Sequence, residues 1–200
     1  MKAIQRAVLG VVFGLLVTNS AQAGEVKGKV ATTGLKSAGN IVIYIDAIAG
    51  KKFDVPTEHP AVDQRNLAFV PHVSVIVRGT TVDFMNGDNV AHNVYWPSIS
   101  GDKKLRHSMT IVSPGQHKSF QFENVGVAQL LCNLHSDMVA YVVVAPTPYF
   151  SLTGNDGSFN IKSVPSGTYT LKTWSENGKP ATRAITVTDE TTTVDLTVTK

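Results

Sequence analysis

The 200-residue chain has one cysteine, Cys132, so it cannot form an internal disulfide. It has no apolar run of the ~20 residues that a bilayer-spanning helix needs. No segment carries a sustained helical stripe of apolar residues with caps at its ends. Lys and Arg are not gathered into the basic face that a nucleic-acid footprint requires. Also missing are an H-x-H pair, a Ser/His/Asp order, a glycine-rich phosphate loop and paired carboxylates. The histidines other than two discussed below (His59, His72, His107 and His117) are scattered, which argues against the converging histidines of an open catalytic metal centre and reads as surface or loop placement. The expectation is a non-enzymatic protein.

The first residues indicate where the chain works. Lys2 and Arg6 form a basic start, Ala7 to Val17 is apolar, and Ala21-Gln22-Ala23 fits an A-x-A cleavage site. The sequence predicts a signal peptide over 1–23, a mature start at Gly24 and a periplasmic location, with no cysteine after the apolar stretch for lipid attachment. The formal charge of +3 includes the two basic residues of that leader, so the mature chain is close to neutral. In an exported chain a lone cysteine reads as a reactive thiol, an intermolecular bridge or a metal ligand. A buried free cysteine acting as a small hydrophobe is the plainer alternative.

Short β-branched or aromatic runs fill the rest of the chain: Ile41 to Ile45, Ser74 to Val77, Thr81 to Phe84, Ser119 to Phe122 and Tyr141 to Val144, separated by Gly, Pro, Asn and Asp. This is the pattern of a β-sandwich or barrel. Lys51 to Arg65 lacks periodicity and reads as an irregular loop. Ala145-Pro146-Thr147-Pro148 marks a boundary, since prolines do not sit inside central strands. A second strand series follows over 146–200, with turns at Asn155-Asp156-Gly157, Pro165-Ser166-Gly167 and Asn177-Gly178. About 55 residues have little core of their own to bury, so this unit must dock on its neighbour or borrow strands. Glu25 to Val30 and Asn40 to Ile45 are available for that, and the sequence leaves open which unit they join. The expected division is 1–23 signal peptide, 24–145 first sandwich and 146–200 second sandwich.

The lone cysteine lies in Cys132-Asn133-Leu134-His135-Ser136-Asp137-Met138, a C-x-x-H-x-x-M pattern. Thiolate, imidazole and thioether in one short loop are the donors that select copper, in a trigonal Cys/His/His plane with a weak axial Met. The second imidazole must come from elsewhere, and Ala91-His92-Asn93-Val94 supplies one. The candidate ligands of a single copper ion are His92, Cys132, His135 and Met138. Asn93 reads either as a turn residue or as a tie between the two loops, with its N–H toward the Cys132 sulfur. Asp83, Asp88 and Asp137 read as turn and surface residues.

Gly79 to Asp88 leading to His92-Asn93-Val94, then the Cys132 loop, resembles the cupredoxin family, and the short ligand loop is most similar to the amicyanin type. The resemblance covers about Asn66 to Val144 and implies a Greek-key β-sandwich with copper near one end. The chain departs from the family at Gln129-Leu130-Leu131, where an aromatic often precedes the cysteine, and that puts the inner packing in question. Asp156 to Ile161 with Val164 to Leu171 resembles the carboxypeptidase regulatory-like, transthyretin-type sandwich, and Val26 to Val30 with Asn40 to Tyr44 resembles its opening strands. The implied fold is all-β, a Greek-key cupredoxin sandwich plus a small second β-sandwich. Two functions follow: a one-electron carrier docking on a redox partner protein, or a periplasmic copper protein for delivery or storage with a docking module.

Overall fold

The computed structural model describes residues 23–200. The expected signal peptide therefore lies outside the described residues except for Ala23, which opens a strand. Among the described residues, regular structure is β apart from one 3-10 turn at Lys103–Leu105. None of their helices is long and apolar enough to cross a membrane.

The middle of the chain forms a sandwich. One sheet runs in the order Val73–Val77, Val139–Ala145, Gly126–Leu131, Tyr95–Trp96 and His107–Ser108. The other runs Ala68–Val70, Ala61–Arg65, Thr81–Asn86 and His117–Gln121. Each sheet contains a parallel pair, Val73–Val77 with Val139–Ala145 and Ala61–Arg65 with Thr81–Asn86. Parallel neighbours cannot be joined by a tight hairpin, so the chain crosses between sheets, as a Greek-key sandwich requires.

Period-two alternation decides which side chains enter the core. In Thr81–Asn86, Val82, Phe84 and Asn86 are buried while Met85 is exposed. In Gly126–Leu131, Ala128 and Leu130 are buried and Gln129 is exposed. The core has no aromatic immediately before Cys132. Trp96, fully buried, fills it instead, with ring centroids 5.1 Å from Phe122 and 6.3 Å from Phe84. Its indole N–H is satisfied by the Leu105 carbonyl at 3.1 Å.

One expectation is corrected here. Lys51 to Arg65 is not irregular throughout, because Ala61–Arg65 is a strand beside Thr81–Asn86. Its inward positions are Val62 and the buried Gln64, whose side-chain N–H donates to the Met85 carbonyl at 2.9 Å. A polar residue on the buried face hid the alternation.

The N-terminal strands do not pair with this sandwich. Ala23–Thr33 lies between Ser158–Pro165, antiparallel, and Thr191–Thr193 with Leu196–Thr199, both parallel. Val42–Ile45 lies between Phe150–Leu152 and Gly167–Trp174, with Thr182–Val187 beyond. Of the two units that the sequence leaves open for these strands, it is the C-terminal strand series with which both pair. Gly28 is required there, since a Cβ would lie 1.8 Å from the Val194 carbonyl oxygen. Thr147 holds the exit from the middle sandwich by donating its hydroxyl to the Ile45 carbonyl at 2.7 Å.

The apolar run Ile41 to Ile45 is continuous because both of its faces are covered. Ile43 and Ile45 join the core of the C-terminal sandwich. Val42 and Tyr44 point the other way, into a cluster with Leu152 and Trp174 of their own sheet and with Val73, Val75, Val127, Tyr141 and Val143 of the middle sandwich. The two sandwiches are thereby packed sheet against sheet.

Five buried side chains of the C-terminal core, Val26, Val30, Ile41, Ile43 and Ile45, come from the N-terminal strands. At about 1.5–3 kcal/mol each they rival the whole net stability of a typical domain, about 5–15 kcal/mol. Residues 146–200 expressed alone should therefore show no cooperative thermal transition by circular dichroism. Joining residues 24–46 to that fragment through a flexible linker should restore one.

Candidate metal centre

The hairpin of Gly126–Leu131 and Val139–Ala145 closes at the pair Leu131↔Val139, so residues 132–138 form its tip. Three of the four predicted ligands occupy that tip. Within it the Met138 N–H donates to the His135 carbonyl at 3.2 Å, folding the loop back on itself. Cys132 and Met138 are buried and belong to the core of the middle sandwich, whereas His135 is half-buried.

His92 arrives from the facing loop. Its backbone is clamped to Val112 by two hydrogen bonds, His92 N–H to Val112 O at 3.2 Å and Val112 N–H to His92 O at 2.7 Å. The buried Asn86 side chain fastens both segments, donating to the carbonyls of Val90 at 2.9 Å and Val112 at 2.8 Å. Its oxygen accepts the Asp88 N–H at 3.0 Å. The loop is thus held by its own polar groups, and His92 itself is fully buried.

The side chains converge. His92 Nδ1 and His135 Nδ1 are 3.0 Å apart, and the Cys132 sulfur lies 4.0 Å from the first and 3.9 Å from the second. A triangle with these sides has a point about 2.1 Å from every corner, close to metal–imidazole and metal–thiolate bond lengths. Among the described residues this is the group of His, Cys, Asp and Glu whose donor atoms lie close enough to hold a metal ion. The residues fit a mononuclear metal by distance, and the soft sulfur with two imidazoles fits copper by donor type.

Two neighbours orient the donors. His92 Nε2 lies 2.9 Å from an Asp88 carboxylate oxygen. A carboxylate can only accept, so Nε2 carries the proton and Nδ1 presents a lone pair toward Cys132 and His135. Asp88 is itself fixed by the backbone N–H groups of Leu67 and Asn66 at 3.0 and 2.5 Å. The Leu67 amide does most to hold its carboxyl below the usual range, against the opposing effect of burial, with further help from His92 and Asn66. Sequence reasoning gave Asp88 a turn role, and the structure adds the orientation of His92. The available signal was its position four residues before the histidine.

Asn93 joins the two loops as one of its two readings expects, with Oδ1 accepting the Asn133 N–H at 2.8 Å. The contact between Asn93 and the Cys132 sulfur runs through that same oxygen, at 3.6 Å. The other histidines have separate partners. His59 meets Asp83 at 3.1 Å, His72 meets Glu176 at 2.8 Å, and His107 packs on Trp96 and Phe120, where burial lowers its pKa. His117 is exposed on the strand opposite Met85.

Residues 57–145 match the family model of copper binding proteins, plastocyanin/azurin family. Residues 148–195 match that of polysaccharide lyase family 4, domain II. A purple cupredoxin from Nitrosopumilus maritimus is similar at 23% identity, covering 43% of this chain and 99% of its own, with a TM-score of 0.39. A reduced amicyanin variant is similar at 21% identity, covering 52% of this chain and 98% of its own, with a TM-score of 0.41. No curated protein matches the chain. The stretch that matches the copper-binding family model contains all three converging donors, His92, Cys132 and His135, and their chemistry fits a copper ion.

Removing the group that fixes a ligating imidazole commonly lowers metal affinity about 10–100-fold. Asp88→Ala should do so here, read by competition against a chromophoric chelator. Asp137→Ala, at an exposed carboxylate of the ligand loop, should leave the affinity within about twofold.

Proposed function

We propose that the chain is an exported one-electron carrier in which His92, Cys132, His135 and Met138 hold a single copper ion. Copper bound there would supply the Cu(I)/Cu(II) couple. The observation that carries the reading is the fixing of the donors by the protein: His92 through Asp88 and Val112, the Cys132 loop through Asn93. Donors held in place by their own hydrogen bonds need little rearrangement between two oxidation states. Met138, buried at the end of the loop, would be the fourth donor by its place in the C-x-x-H-x-x-M pattern.

The end of the sandwich that carries the donors is rimmed with apolar side chains. Leu134, beside His135, is 51% exposed, and Ile111, beside the Val112 clamp, is 57% exposed. Val90 and Leu67 are exposed as well, at 40% and 52%. Leu67 stands in a two-residue turn where Asn66 and Leu67 both have positive φ, 54° and 58°. Glycine is favoured at that position, so an exposed leucine there breaks the local rule and adds apolar surface beside Asp88. Such a rim suits reversible docking on a redox partner protein.

The domain reading is a single sandwich of residues 24–46 and 146–200, of the carboxypeptidase regulatory-like, transthyretin type, interrupted by the copper domain. Copper delivery or storage is the competing role, and the firmly packed second sandwich favours it, since it offers a separate docking module. The periplasmic location rests on the leader, which lies outside the described residues.

Electron self-exchange separates the two roles. A carrier should exchange rapidly by stopped-flow or NMR line broadening while releasing copper to a chelator only slowly. Leu134→Asp should slow self-exchange about tenfold or more by placing like charges across the contact, with an unchanged visible spectrum. Slow exchange in the parent protein, with rapid loss of copper to the chelator, would support delivery.

A further inference from the structure

The junction between the sandwiches contains a polar relay that ends beside the ligand loop. Glu176, which follows the strand Gly167–Trp174 of the C-terminal sandwich, places one carboxylate oxygen 2.8 Å from His72 Nε2. Its other oxygen accepts the Tyr141 hydroxyl at 3.1 Å. The opposite nitrogen of His72, Nδ1, lies 3.1 Å from the Val139 carbonyl. Both of these partners of His72 are acceptors, so the ring satisfies them together only when both nitrogens carry protons. The Tyr141 N–H donates in turn to the His72 carbonyl at 2.9 Å. The Tyr141 ring packs edge-on against His72 at 5.6 Å and lies tilted against Trp174 at 5.1 Å.

Val139 closes the hairpin with Leu131 and immediately follows Met138. Leu131 holds it on one side, and His72 on the other. His72 takes its position from Glu176, a residue of the other sandwich. We infer that Glu176 is a positioning residue for the copper site: through His72 it fixes the carbonyl at the base of the ligand hairpin and so restrains Met138. This rests on the reading of Met138 as a ligand. A half-exposed ion pair of this kind adds little to global stability. Its effect is local, on the freedom of one loop end, and it gives the C-terminal sandwich a part in tuning a site to which it contributes no donor.

The test uses the full mature chain with Glu176→Ala, Glu176→Gln and, as a control at an exposed carboxylate elsewhere, Glu190→Ala. Amide hydrogen exchange over residues 132–139 is followed in the copper-free protein, and the visible spectrum in the copper-loaded one. Glu176→Ala should speed exchange of the Met138 amide about tenfold, as a local opening without global unfolding, and should change the intensity ratio of the thiolate-to-copper bands. Glu176→Gln, which keeps an acceptor oxygen for His72, should restore most of both, and Glu190→Ala should alter neither. Unmoved exchange in Glu176→Ala, or a Gln variant indistinguishable from Ala, would overturn the inference. The exchange is read without metal, so it judges the relay independently of the ligand assignment. A Met138→Leu protein with an unaltered spectrum would remove that assignment alone.

Discussion

Two imidazole nitrogens 3.0 Å apart, with a sulfur within 4.0 Å of each, form the arrangement on which the rest of the middle sandwich depends. Polar donors crowded in this way are costly to bury without a partner, because burial removes the water that would otherwise solvate them. Only a scaffold that fixes both loops independently can hold such a cluster ready for a cation. The strands provide the frame, while Asn86, Asp88 and Asn93 provide the fastening. Each of the three turns a loop that lacks sheet pairing into one with defined hydrogen bonds. The polar content of this end of the domain is therefore concentrated around the donors.

The same logic explains the core below. The ligand hairpin stands on Leu131↔Val139, and Ala128, Leu130, Ala140 and Val142 anchor its strands in the interior. Trp96 supplies the aromatic bulk that the position before Cys132 lacks. The outer face of the hairpin sheet is covered by Val42, Tyr44, Leu152 and Trp174, so the strand carrying the ligand loop is buried on both sides. A strand covered on both faces transmits displacement instead of absorbing it, because close-packed interiors deform little. That is the physical basis for coupling between the second sandwich and the copper site.

Much of this was legible in the sequence because the signals were local. The C-x-x-H-x-x-M loop and the upstream His92 point, without any fold, to side chains of which the structure brings His92, Cys132 and His135 together. Runs such as Thr81 to Phe84 and Tyr141 to Val144 show their strands through β-branched composition. Long-range features were hidden. Glu25 to Val30 alternates as a strand in any sheet, and only its pairing with Ser158–Pro165 and Leu196–Thr199 reveals which sandwich it completes. Gln64 disguised a strand because a buried polar residue paired with a carbonyl looks like a surface residue. Asp88 looked like a turn residue because its other role depends on His92 folding back toward it.

X-ray absorption at the copper edge, measured on the copper-loaded mature chain, reads the donor set around the metal. One copper per chain is expected, with a first shell of one short sulfur bond and two imidazole nitrogens, and the short sulfur bond should be lost in Cys132→Ser. A first shell of nitrogen and oxygen alone, or a shell unchanged by that substitution, would contradict that donor set.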